Sequence, residues 1–236
     1  MTAWAQISRG VIHKFKCKGV LSVKVIDLSQ PLENGMGVFP GAPHPSFRQL
    51  TSVDAGDVYQ ITQFEMTTHT GTHMDCTSHV KKVGYYTDTQ DVSFFVGKGI
   101  VLDCSHYAEG QEMGMEIFDG VDLQDKEFVL LYCGWDRYWG QEKFFGNYPY
   151  ISKEVSAFLS NHPTVRGIGV EYISLDPLPD EQLGLHQIFL EHEKTVVENL
   201  TNLDQLLGKD FTFVALPLKI KGGDGSPVRA VALLNE

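Results

Sequence analysis

Three histidines and an aspartate fall within eleven residues, in the run His69-Thr-Gly-Thr-His73-Met-Asp75-Cys-Thr-Ser-His79. Neutral imidazole nitrogen and carboxylate oxygen together form the donor set that suits Zn²⁺ and Mn²⁺. A lone histidine on a strand is usually a hydrogen-bonded structural residue. Four such groups clustered this densely make a shared structural role the poorer account, and a metal site around His69, His73, Asp75 and His79 the better one. An adventitious surface site is the remaining alternative, and spacing alone does not fix a reaction.

These groups need elements to aim them. Residues 60–68 read as a strand, with Ile61, Phe64 and Met66 on its apolar side. The run that follows, rich in Thr and Gly, reads as a strand leaving into a tight loop. Gly71 lets the backbone turn back, which brings His69 and His73 to a common centre. Alternate residues of an extended segment share a face, so Asp75 follows His73, and a short turn beyond brings His79 over them. Further strands are expected at 23–28, 99–104, 127–133, 165–173, 195–200, 211–216 and 227–234, the last entered from the turn at 222–225. Helices are expected at 152–161, at 183–193 (which holds His186) and at 201–207. Residues 31–45, with several Gly and Pro, read as a long loop of the kind that is often functional. There is no repeat, low-complexity tract or Pro/Ser-rich linker, so one domain of mixed strands and helices is expected.

A chain of 236 residues, 42% hydrophobic, can bury a full core without disulfides. Its formal net charge of -11 argues against nucleic acid and anionic membranes as partners. Cys17, Cys76, Cys104 and Cys133 form no C-x-x-C pair, and a reduced, cytoplasmic protein is the simplest reading. No stretch approaches the ~20 apolar residues of a membrane span, and the N-terminus lacks a signal-peptide pattern. Residues 1–22, with Lys14, Lys16 and Lys18, read as a poorly determined arm. The glycine pairs 97/99 and 167/169 lack a third glycine and read as strand and turn residues, and no G-x-S-x-G elbow is present.

The run at 69–79 resembles the H-x-G-T-H-x-D-x-P-x-H signature of the cyclase superfamily, which includes bacterial kynurenine formamidases and isatin hydrolases; six spaced positions agree. The likeness extends through Asp27-Leu28-Ser29-Gln30-Pro31-Leu32, Val38-Phe39-Pro40-Gly41, Ser174-Leu175-Asp176 followed by His186, Glu198-Asn199-Leu200, Ala215-Leu216-Pro217-Leu218-Lys219 and Gly225-Ser226-Pro227-Val228-Arg229-Ala230. It implies a single α/β domain over 23–236, with a mixed, barrel-like sheet of the swivelling β/β/α type and peripheral helices. It also implies a homodimer or higher homo-oligomer in which an N-terminal loop helps close the partner's site. By the same resemblance, His69 and His73 hold one metal, Asp75 bridges two, His186 holds the second, and Glu198, twelve residues after His186, bridges both. His79 becomes the proton donor and acceptor, and Phe39 a substrate-binding residue where formamidases usually carry Trp. The cofactor is one or two divalent ions, zinc or manganese.

The residues themselves leave alternatives. Glu198 ends an apolar strand, where burial would be costly unless it were paired or metal-bound; without the family spacing it reads as an acid facing water. His192 is the alternative to His186. Thr77 stands where the family has proline. Cys76 is either a thiolate near the metal or a small buried apolar residue, the second being the more ordinary. Tyr132, Trp135, Tyr138 and Trp139 either line an aromatic pocket or pack locally.

The resulting expectation is a metal-dependent amidohydrolase acting on a small amide, formamide or cyclic amide, with a small-molecule substrate and no nucleic-acid or membrane partner. The competing expectation is a non-catalytic metal- or ligand-binding relative, which would have no need of His79.

Overall fold

The structure, a computed structural model, describes residues 23–179 and 182–235. The N-terminal arm, with Cys17 and its lysines, lies outside the described residues. In chain order the strands are β1 (Val23–Asp27), β2 (Ser46–Thr51), β3 (Ile61–Glu65), β4 (His73–Asp75), β5 (Val96–Asp103), β6 (Glu112–Met113), β7 (Phe128–Tyr132), β8 (Tyr150–Ile151), β9 (Gly167–Val170), β10 (Thr195–Glu198), β11 (Phe211–Val214), β12 (Gly225–Pro227) and β13 (Val231–Asn235). The α-helices are α1 (Lys153–Asn161) and α2 (Gly184–Phe189).

Nine strands form one mixed sheet in the order β1-β13-β11-β5-β7-β9-β10-β4-β12. Its centre, β5-β7-β9-β10, is parallel, and both flanks are antiparallel. Central parallel strands are covered on both faces, which is why β7 reads as an unbroken apolar run. Val129 and Leu131 enter one core with α1 and α2, whereas Phe128 and Leu130 enter the other with β11 and β13.

The sheet curls back on itself. β12 and β13 lie seven steps apart in the sheet order, which would be roughly 34 Å if it were flat. Only three residues join them, a reach of about 14 Å between Pro227 and Val231. Bridges Ser29↔Leu200 and Pro217↔Val228 tie the approaching ends. The mixed, barrel-like α/β sheet expected from the sequence is therefore present as a half-barrel.

α1 starts at Ser152, whose hydroxyl accepts from Val155 N at 3.2 Å. It buries Val155 and Leu159. Ser156 and Ser160 donate to Leu185 O and Phe189 O at 3.0 and 2.9 Å, which fixes α2 against α1.

Several expected elements differ. The strand at 60–68 is β3, which pairs only with β2, a strand not anticipated, in a separate hairpin. The helix at 183–193 is α2 followed by a 3-10 turn at Leu190–His192. The one at 201–207 is a 3-10 turn at Leu203–Leu206. The last strand is two strands: β12 pairs with β4, and the chain then crosses the seam to place β13 between β1 and β11. At the crossing Val228 N donates to Thr72 O at 3.0 Å, so the backbone keeps a partner while it changes neighbours.

Candidate metal centre

Strand pairing builds the first part of the site. β4 and β10 run antiparallel with Glu198 opposite His73 and Val196 opposite Asp75. Met74 points into the core shared with β11 and β13. His73 and Asp75, one residue to either side, therefore face the opposite way, toward the helices. Gly71 takes φ +64, the left-handed turn that the run requires, and a Cβ there would lie 2.4 Å from Leu32 Cδ2.

Each histidine of the centre has one nitrogen held and the other aimed inward. His73 Nδ1 lies 2.9 Å from Gly71 O; a carbonyl can only accept, so Nδ1 carries the proton. Its Nε2 is left 3.4 Å from both Asp75 Oδ1 and Glu198 Oε2. His186, on α2, has Nδ1 2.5 Å from Asp176 Oδ2 and Nε2 3.2 Å from Asp75 Oδ2 and 3.1 Å from Glu198 Oε1. Asp176 is itself held by the N–H groups of Leu185 and His186. His69 has Nδ1 2.7 Å from Asp75 Oδ1 and Nε2 3.1 Å from Asp224 Oδ2. Candidate ligand atoms thus gather in two triads, His69/His73/Asp75 and Asp75/His186/Glu198, each within 4.8 Å, with Asp75 common to both. A third group, His69/His79/Asp224, sits at the rim.

The donor set fits a divalent cation. Asp75, Asp176 and Glu198 are buried together, which is costly without compensating positive charge. Burial works against a charged His69, yet the charge of Asp75 and the hydrogen bonds of Asp224 and Asp75 raise its pKa to about 10. Burial likewise opposes a charged His186, and Asp176, Asp75 and Glu198 overcome it. Burial would raise the carboxyl of Asp75, and the neighbouring histidines hold it well below the usual range. A cage that draws protons onto its imidazoles is one that a cation satisfies, and N/O donors of this kind suit zinc or manganese.

His79 ends a 3-10 turn at Thr77–His79. Its ring centroid is 4.1 Å from that of His69 and 6.1 Å from that of His186, and its Nδ1 is 3.7 Å from Asp224 Oδ2. Burial pushes its pKa down, against the opposing charge of Asp75. Thr77, in place of proline, keeps the turn: its carbonyl accepts from Val80 N and Lys81 N.

Glu198 is buried, not facing water, and accepts from Leu175 N at 2.7 Å. His192 is exposed at the surface. Burial pushes the Cys76 thiol up to about 12, so it is an apolar packing residue and no thiolate. The aromatic group packs locally: Trp135 is buried with its indole N–H donating to Phe144 O at 3.1 Å, Trp139 packs on Phe144, and Lys143 sits over the Tyr138 ring. Phe39 is half-buried against the helix-side core. Two acids at the centre, Asp176 and Asp224, had no role in the sequence reading. Asp176 was visible only as part of a motif, and Asp224 only as a turn residue.

A buried histidine–carboxylate cage on the helix-bearing face of a curled mixed sheet defines the class of protein. The comparisons agree. Residues 26–177 match the Cyclase family model, described as "Putative cyclase". The chain is 32% identical over 206 residues to the kynurenine formamidase of Bacillus cereus, covering 87% of this chain and 95% of that protein. It is 32% identical over 208 residues to that of Bacillus anthracis, covering 88% and 96%. Isatin hydrolase A from Labrenzia aggregata superposes with a TM-score of 0.81 at 27% identity, covering 91% of this chain and 94% of that one. The chain belongs to the cyclase family.

Proposed function

We propose that this protein is a metal-dependent hydrolase of small amides, cleaving an aryl formamide or a cyclic amide. The observation that carries this reading is the pair of ligand triads sharing Asp75, with His79 beside them. The kinship with kynurenine formamidases and isatin hydrolase supports the C–N bond as the one cleaved. His69 and His73 would hold one ion and His186 a second, with the carboxylates of Asp75 and Glu198 within reach of both groups of donors. Zinc and manganese are the candidates, as one or two ions.

Bound there, a divalent cation would polarise a carbonyl and lower the pKa of a bound water toward neutrality. His79 moves the proton. A depressed pKa leaves its imidazole neutral near pH 7, able to take a proton from the attacking water and return it to the departing nitrogen. Asp176 and Gly71 O orient the imidazoles of His186 and His73. Phe39 forms part of the substrate wall, and residues 23–236 make up the catalytic domain.

Exposed Leu50, Val53, Tyr59, Ile61 and Phe64 on and beside the β2–β3 hairpin support a homo-oligomer. Free, buried Cys76, Cys104 and Cys133 support a reducing, cytoplasmic setting. No helix among the described residues is long and apolar enough to cross a membrane.

The test is hydrolysis of formanilide and of isatin by the full chain loaded with zinc or with manganese. Turnover of either by wild type, abolished by chelation, supports the reading. Metal binding with no turnover of either would return the chain to the binding relatives.

A further inference from the structure

We propose that Asp224 is a positioning residue of this site, a single carboxylate that holds His69 and orients His79 at the same time. The inference rests on the function proposed above, in which His79 transfers the proton.

The backbone fixes Asp224 first. Its carbonyl accepts from Cys76 N at 2.9 Å, and the next residue, Gly225, is paired in register with Asp75. The turn into β12 is thereby fastened alongside β4. Gly225 makes this approach possible, because a Cβ there would lie 2.7 Å from Met74 O and 2.8 Å from His69 Cε1. The side chain is oriented next. Thr68 Oγ1 donates to Asp224 Oδ1 at 2.9 Å, which turns Oδ2 toward the two imidazoles. Oδ2 lies 3.1 Å from His69 Nε2, a hydrogen bond, and 3.7 Å from His79 Nδ1, too long for a hydrogen bond but close enough for the carboxylate's charge to act on that nitrogen. The two rings it joins are 4.1 Å apart at their centroids and inclined by 38°.

The consequence is a choice of tautomer. A carboxylate facing Nδ1 favours the imidazole that carries its proton there, which leaves the Nε2 lone pair to take the substrate-side proton. For His69 the same carboxylate holds Nε2 and leaves Nδ1 for Asp75 and the centre. Asp224 thus stands to His69 as Asp176 stands to His186, and in addition ties the proton-transfer residue to the centre.

The experiment is a double-mutant cycle on the metal-loaded full chain, with Asp224→Asn, His79→Ala and the pair, read by formanilide or isatin hydrolysis, whichever the wild type turns over, together with metal content by elemental analysis. Asn keeps an acceptor for His69, so the metal is expected to stay. Turnover is expected to fall about 10-fold or more in kcat with KM little changed, and Asp224→Asn should add no further loss once His79 is gone. In parallel, long-range ¹⁵N–¹H NMR of the histidine rings should find His79 as the Nδ1–H tautomer in wild type and shifted toward Nε2–H in Asp224→Ala. Equal losses with and without His79, or loss of metal in step with activity, would remove the link to His79. An unchanged His79 tautomer in Asp224→Ala would do the same without any activity measurement. Full activity in Asp224→Asn beside an impaired His79→Ala overturns this proposal alone, whereas full activity in His79→Ala overturns the function on which it rests.

Discussion

Asp75 and His186 are separated by 111 residues of chain, yet Oδ2 of the first lies 3.2 Å from Nε2 of the second. The other oxygen of the same carboxylate faces His69 Nδ1 at 2.7 Å and His73 Nε2 at 3.4 Å. One buried acid is therefore the junction of two groups of ligand atoms, and it can be so only because a carboxylate has two equivalent oxygens and a full charge.

That junction gives the first prediction. Asp75→Asn replaces the bridging anion with a neutral amide that has one acceptor oxygen, so the chain should purify without stoichiometric metal. His186→Ala should lose only the ion on its own side, from about two per chain to about one in the two-metal arrangement. Elemental analysis of proteins purified without added metal decides both. Full occupancy in Asp75→Asn would remove the bridging role, and one ion in wild type and His186→Ala alike would return His186 to a structural one.

His79→Ala should leave metal content unchanged and lower turnover by about 10²–10⁴, the usual contribution of a positioned general acid or base. Steady-state kinetics on the metal-loaded variant measure it. If metal disappears with the activity, His79 is a ligand and the division of roles is wrong.

Asp176 belongs to neither ligand triad, but it holds His186 Nδ1 at 2.5 Å. Removing such an outer partner typically costs about 10–100-fold in metal affinity. Asp176→Asn should therefore strip of metal at lower chelator concentrations than wild type in a competition titration, and should unfold at a lower temperature when metal is limiting. Identical titrations would mean that α2 packing alone orients His186.

Glu171 provides a test independent of the metal. It is fully buried, with one oxygen accepting from Cys133 N at 2.8 Å and Trp135 N at 3.1 Å, and the other, among the described residues, without a partner. Burial, with the nearby charge of Asp136, raises its pKa from 4.5 to about 8 against the pull of those backbone N–H groups. The folded state thus holds this proton more tightly than the unfolded state. The contribution to stability is fully present below the unfolded pKa of 4.5 and is lost as pH rises toward 8, by at most ~1.4 kcal/mol per pH unit. Glu171→Gln mimics the protonated acid at every pH. Its melting temperature should gain on that of wild type between about pH 5 and pH 8; a constant difference would mean that Glu171 is ionised in the fold throughout.

Much of this protein is written locally. The eleven residues from His69 to His79 contain four of the six histidines and acids proposed for the reaction. The left-handed turn at Gly71 and the common face of His73 and Asp75 follow from glycine's freedom and the two-residue period of a strand. The unbroken apolar run Phe128–Tyr132 likewise announced β7, because a strand covered on both faces has no polar side to show. Other features were beyond any local pattern. The split of 227–234 into β12 and β13 depends on the sheet curling until its ends meet, and nothing in that segment marks the crossing. His186 is preferred to His192 by its twelve-residue spacing to Glu198, but the orientation of its ring comes from Asp176, which holds one ring nitrogen and leaves the other facing Asp75. The acid Asp224 became part of the site because the β12–β4 register brings it beside His69 across 155 residues. Residue type and short-range period are properties of the chain, and they determined which groups could bind a cation. Register between distant strands is a property of the whole packed sheet, and that alone decided which of those groups meet.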